Sequence, residues 1–199
     1  MKYRNVTISG LPGSGSSTLA RSLAEKINFE YFGGGEFMRA YAIEKGLFNR
    51  GAKTHHLATV YGDEFDRKVD FEMRDWLKEK EGKVIDSWLS GFVAQGIEGN
   101  LKILMSCSRD ELRIDRLVNR DGISVEEAKK HIFEREEKNL EKWTRLYEKE
   151  WQLWVPKKAQ GFRRGKYLDF YHPSLYDLVI DTYSMDRDSC LKLALEALC

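Results

Sequence analysis

The sequence of 199 residues predicts an α/β fold with a five-stranded, mainly parallel sheet and helices on both faces. Two observations carry that prediction. Short β-rich runs alternate with helical stretches from one end of the chain to the other. The first such run leads through a glycine-rich loop directly into a helical pattern.

Val6 to Ser9 is a short β-rich run ending at Gly10, the pattern of a buried strand. From Ser16 to Ile27, the residues Leu19, Ala20, Leu23, Ala24 and Ile27 share one helix face. Asn28 to Phe32 reads as a second strand, closed by Gly33-Gly34-Gly35. Glu36 to Lys80 is helical and highly charged, with an interruption near Gly46 to Gly51. Lys83 to Ser87 and Lys102 to Ser108 are the third and fourth strands. Asp110 to Asn119 and Val125 to Trp151 are charged helices. Leu178 to Asp181 is the fifth strand, and Leu191 to Leu198 is a closing helix. Gln152 to Pro173, rich in aromatic and basic residues, is expected to be a packed surface insertion rather than a nucleic-acid-binding strip.

Composition narrows the function classes. The formal net charge is +1, so no global basic field points to nucleic acid, and affinity for phosphates must come from local placement. The three cysteines, Cys107, Cys190 and Cys199, are scattered and lack metal-ligand spacing, as expected of reduced thiols in a cytoplasmic protein. No apolar stretch approaches the roughly 18 residues of a membrane span. His55, His56, His131 and His172 show no pattern of a metal site or a general base.

The chemistry lies in Gly10-Leu11-Pro12-Gly13-Ser14-Gly15-Ser16-Ser17-Thr18. Gly10, Gly15 and Ser17 match the phosphate-loop pattern G-x-x-x-x-G-K-[ST]. Its glycines let backbone N–H groups turn toward phosphate oxygens, and the helix after the loop adds its positive end. Gly10, Pro12, Gly13, Ser14, Gly15, Ser16, Ser17 and Thr18 are the expected donor-binding residues. Ser17 is a magnesium ligand in that arrangement. The lysine position is held by Ser16, which donates a hydrogen bond and carries no charge. Arg116, Arg120, Arg135 and Lys53 are the candidates to replace that charge.

With this loop, Gly35 to Arg39, Val84 to Val93, Asp121 to Ala128, Glu134 to Glu137 and Tyr176 to Thr182, the chain resembles the archaeal type of cytidylate kinase, a nucleoside-monophosphate kinase on the P-loop three-layer fold. The resemblance implies one kinase domain, with core segments 1–35, 81–115 and 174–199. It implies a monophosphate-binding helical region at 36–80, and a lid with its insertion at 116–173. It implies ATP and Mg²⁺, with Ser17 and Asp86 at the metal. Arg39, Asp66, Asp70, Trp88 and Lys142 would serve the nucleoside monophosphate. Arg116, Arg120 and Arg135 would close over the transferring phosphate, and the reaction needs such cations because it is mainly positioning and charge stabilisation. Trp88 and Lys142 stand where the family has arginines. CMP or dCMP is the expected acceptor. A different small phosphate acceptor and a nucleotide-binding protein without kinase activity remain open at this point.

Overall fold

The computed structural model describes residues 2–44 and 61–199. Lys53, His55, His56 and the interruption near 46–51 lie outside the described residues. The elements are β1 (Asn5–Gly10), α1 (Ser16–Ile27), β2 (Glu30–Gly33), α2 (Gly34–Glu44), α3 (Asp63–Glu79), β3 (Lys83–Asp86), α4 (Ser90–Val93) and β4 (Asn100–Ser106). They continue with α5 (Asp110–Asp121), α6 (Val125–Lys129), α7 (Arg135–Trp154), β5 (Arg163–Arg164), β6 (Tyr167–Leu168), β7 (Leu178–Asp181) and α8 (Arg187–Ala197).

The main sheet has five parallel strands in the order β2-β3-β1-β4-β7. All six residues of β1 are buried, as expected of a central parallel strand covered on both faces. Strands β3 and β2 lie on one side of β1, and β4 and β7 on the other. The carboxyl end of β1 is therefore the switch point where open α/β sheets form their crevice. One face of the sheet packs on α1 and α8 through Leu19, Leu23, Cys190 and Ala194. The other packs on α3, α4 and α7 through Met73, Phe92, Tyr147 and Trp151.

Strand β4 lies two residues earlier than expected at each end and β2 begins two residues later, and three further boundaries differ for local reasons. Gly34 opens α2 instead of closing β2, so the three glycines do not form one turn. α8 begins at Arg187, because Asp186 caps it by accepting from the Ser189 N–H at 2.8 Å; the apolar stripe marks only its later turns. The single helix expected from Val125 is interrupted. Lys130–Glu134 is a π turn, with the Arg135 N–H bonded to Lys130 O, and only then does α7 run on to Trp154. A π turn inserts one residue into the helix and rotates the residues after it, a feature often found at functional sites.

The segment from Gln152 to Pro173 departs further from expectation. Ala159, Leu168 and Phe170 are almost fully buried, and Phe170 meets Phe92, Trp143 and Trp151 at ring-centroid distances of 5.0, 6.5 and 5.4 Å. These apolar side chains are core, not a surface flap. The two arginines of the segment face acids on α7: Arg164 pairs with Glu136, and Arg163 lies 3.5 Å from Glu148. Those pairs reduce the positive charge available to a nucleic acid.

Candidate active site

The phosphate loop lies between β1 and α1. A Cβ on Gly10 would approach Ser16 Cβ to 2.9 Å and Met105 Cβ to 3.2 Å. At Gly13 the backbone has φ +80°, and a Cβ would meet the Arg113 carbonyl oxygen at 2.8 Å. Both positions require glycine for a steric reason. The loop is braced from behind by α5. Arg113 Nε donates to Pro12 O at 3.0 Å, and Arg116 Nη1 donates to Gly13 O at 2.9 Å. Arg116 also donates to the Thr182 hydroxyl at 2.8 Å and the Thr182 carbonyl at 3.0 Å. That hydroxyl donates to Ser14 O or to Ser106 O, each 3.1 Å away.

The loop opens onto a cleft of about 1050 Å³. Gly10, Pro12, Gly13, Gly15, Ser16, Ser17 and Thr18 line it on the loop side. Asp86, Arg39, Asp66, Asp70, Trp88, Arg116, Arg120 and Arg135 line the rest of the wall. Two of the sequence-predicted site residues, Ser14 and Lys142, lie off that wall. Ser14 turns to the back of the loop, where its hydroxyl is buried without a hydrogen-bond partner. Lys142 binds Asp66 and the Tyr61 carbonyl through its ammonium, both at 2.8 Å, and so ties α7 to α3 instead of facing the cleft.

Asp86 ends β3 beside Ile8 of β1. Burial pushes its carboxyl above the usual carboxylate range, partly offset by the nearby Ser17, Ser16 and Tyr31 hydroxyls, of which Tyr31 donates to Oδ2 at 3.5 Å. A hard divalent cation suits the oxygen donors of Asp86 and Ser17, with phosphates and water completing its shell. Among the described residues there is no cluster of three or more His, Cys, Asp or Glu side chains that would hold a metal without such help.

The cations divide by their partners. Arg116 is tied to the loop backbone, so it holds the loop rather than projecting a free guanidinium. Arg120 forms a two-pronged pair with Asp121, both contacts at 2.8 Å. Arg135 is different. Its Nε has no hydrogen-bond partner, no carboxylate pairs with it among the described residues, and its guanidinium carbon lies 4.8 Å from the centre of the Trp88 ring. Burial pulls its pKa down to about 10, and the neighbouring Arg39 and Arg120 act in the same direction.

Sequence reasoning misses Arg113, Arg187, Tyr61 and Asn139. Arg187, Tyr61 and Asn139 line the cleft, and Arg113 supports the loop. The spacing of Arg113 and Arg116 on one helix face is a usable signal; nothing local marks the others.

The two acids on α3 differ. Asp66 keeps one carboxylate oxygen, Oδ1, buried and unpartnered. Asp70 accepts from the Tyr147 hydroxyl, yet burial still pushes it up to about 7. Its folded pKa lies above the unfolded value near 3.8, so the folded state binds the extra proton between those values. Stability is therefore expected to fall as pH rises from about 4 to 7, by at most about 1.4 kcal/mol per pH unit from this group. Asp70→Asn should flatten that slope in thermal unfolding scans from about pH 5 to 8; an unchanged slope would place its origin elsewhere.

Residues 5–184 match the model of the cytidylate kinase-like family. The chain is 30% identical to a cytidylate kinase of Haloarcula marismortui over 196 residues, covering 96% of this chain and 88% of the relative. It is 33% identical to a cytidylate kinase of Methanopyrus kandleri over 205 residues, covering 97% and 93%. A gluconokinase from Sinorhizobium meliloti 1021 shares the fold, with a TM-score of 0.55, 12% identity and coverage of 99% and 92%. With a kinase-type phosphate loop opening onto an arginine-rich cleft and a family match over nearly its whole length, the chain is a phosphotransferase that belongs to the cytidylate kinase-like family.

Proposed function

We propose that this enzyme moves the γ-phosphoryl group of ATP to the phosphate of CMP or dCMP. The observation that carries the reading is the placement of Arg135, a half-buried cation whose Nε is buried without a hydrogen-bond partner and which pairs with no carboxylate among the described residues, in the same cleft as the phosphate loop. A desolvated guanidinium is costly unless an anion completes it. Arg39 lies close enough to Arg135 to depress its pKa, so the two share a field suited to phosphate oxygens.

In this reading the loop backbone from Gly10 to Thr18 holds the donor phosphates. Arg113 and Arg116 keep the loop in shape from behind. Ser17 and Asp86 would hold Mg²⁺, which would supply charge neutralisation to the phosphates. Arg39 orients the acceptor phosphate, while Arg135 stabilises charge on the transferring group; Arg120, its fork taken by Asp121, does not share that role. The unpartnered Asp66 Oδ1 is an acceptor suited to an amino group such as that of cytosine.

The test is ADP formation from ATP–Mg²⁺ with CMP, dCMP, UMP, AMP and GMP in turn. Faster release with CMP or dCMP than with the other three is the expected result. A second reading, a kinase for another phosphate acceptor, draws on Ser16, an uncharged residue lining the cleft where the loop pattern has a lysine. ATP binding without acceptor-dependent ADP from any of the five would reject the CMP reading and favour this second one.

A further inference from the structure

We propose that Trp88 is a positioning residue whose indole face holds the Arg135 guanidinium in the cleft. This role rests on the kinase reading, in which Arg135 meets the transferring phosphate.

Arg135 starts α7 directly after the π turn. The arginines near it, Arg39 and Arg120, repel it. A long flexible side chain in that position gains by swinging out to water unless something holds it in. The indole is what it meets: the guanidinium carbon sits 4.8 Å from the Trp88 ring centre, within cation–π range, and tryptophan is the strongest such partner. Trp88 is itself braced. Trp143 meets it edge-on at 5.4 Å and 72°, and Trp143 in turn packs against Phe170. The ring is thereby fixed to the buried aromatic cluster between α7 and the segment after it.

The choice of an aromatic face has a chemical consequence. A carboxylate would also hold Arg135, but it would neutralise the charge and occupy the fork. An indole face attracts the cation through its quadrupole and leaves the N–H groups at the guanidinium edge for phosphate oxygens. Trp88 stands two residues after Asp86, so the end of β3 positions both the acidic side chain and the support for the cation.

The experiment compares Trp88→Leu, Trp88→Phe, Arg135→Ala and the double variant Trp88→Leu/Arg135→Ala. Trp88→Leu should lower kcat about 10- to 30-fold with the KM for ATP within about twofold. Trp88→Phe keeps a ring face and should stay within about threefold of the parent. Adding Trp88→Leu to Arg135→Ala should cost nothing more, because the tryptophan acts through the arginine. Equal losses for Leu and Phe, or full additivity in the double variant, would overturn the proposal.

A second readout does not depend on turnover. The Arg135 Nε–H resonance, assigned by its disappearance in Arg135→Ala, should be shifted upfield by the indole ring current. That shift should vanish in Trp88→Leu and persist in Trp88→Phe. An unshifted resonance in the parent protein overturns the clamp whatever the activity. A shifted resonance in a protein that phosphorylates none of the five monophosphates supports the clamp geometry while the CMP reading falls.

Discussion

Arg135→Ala is expected to lower turnover about 10²- to 10³-fold, the usual consequence of removing one preorganised donor from a developing charge. The reason is its setting. Arg135 is desolvated, has no carboxylate partner among the described residues, and lines the cleft that the phosphate loop opens onto. Its charge is therefore available to a ligand and strengthened by the low local dielectric. ATP affinity should change little, because the loop that would bind the donor is braced by Arg113 and Arg116 instead. Steady-state kinetics with the preferred monophosphate, together with ATP binding by calorimetry, separate the two effects. A loss of less than about tenfold in kcat would remove Arg135 from the reacting centre.

Phe170→Ala carries the largest expected effect on stability, about 3–5 kcal/mol. Phe170 is fully buried and touches three aromatic rings from α4 and α7. Truncation leaves a cavity that those large, rigid neighbours fill poorly. Leu153 is the natural control: it is 67% exposed, and Leu153→Ala should stay within about 0.5 kcal/mol. Urea unfolding of both variants checks the pair. If Phe170→Ala cost less than about 1 kcal/mol, the segment after α7 would be peripheral to the core.

The phosphate loop is legible in the sequence because its requirements are local. Gly10 is needed for close approach and Gly15, at φ +88°, for backbone shape, and such needs leave a spacing that can be read directly. The strands of the main sheet and α1 are legible for a similar reason: their burial produces apolar runs and periodic faces. Some boundaries slip at strand ends, as in β4, and others at a cap and at the π turn. Asp186 capping α8 and the break at Lys130 leave little trace in hydrophobic periodicity.

Other features have no local signature. The composition of Gln152 to Pro173 is basic and aromatic, which fits a surface strip as well as a core wedge. Only the partners decide: Glu136 and Glu148 take the arginines, and Phe92, Trp143 and Trp151 take Phe170. Lys142 shows the same limit. Its position in the sequence suits a cleft cation, yet Asp66 lies 2.8 Å away and ties it to α3.

The sequence by itself predicted the fold class and the glycine-rich loop between β1 and α1, because these rest on short-range geometry and periodic burial, and its resemblance to the cytidylate kinases predicted the kinase family. Tertiary structure alone decided which arginine stands charged in the cleft and which ones hold the loop. That division depends on contacts between residues far apart in the chain: Gly13 with Arg116, Asp66 with Lys142, and Trp88 with Arg135. An arginine looks the same in any sequence, and its role depends on whether a carbonyl, a carboxylate or an aromatic face lies within reach of its guanidinium.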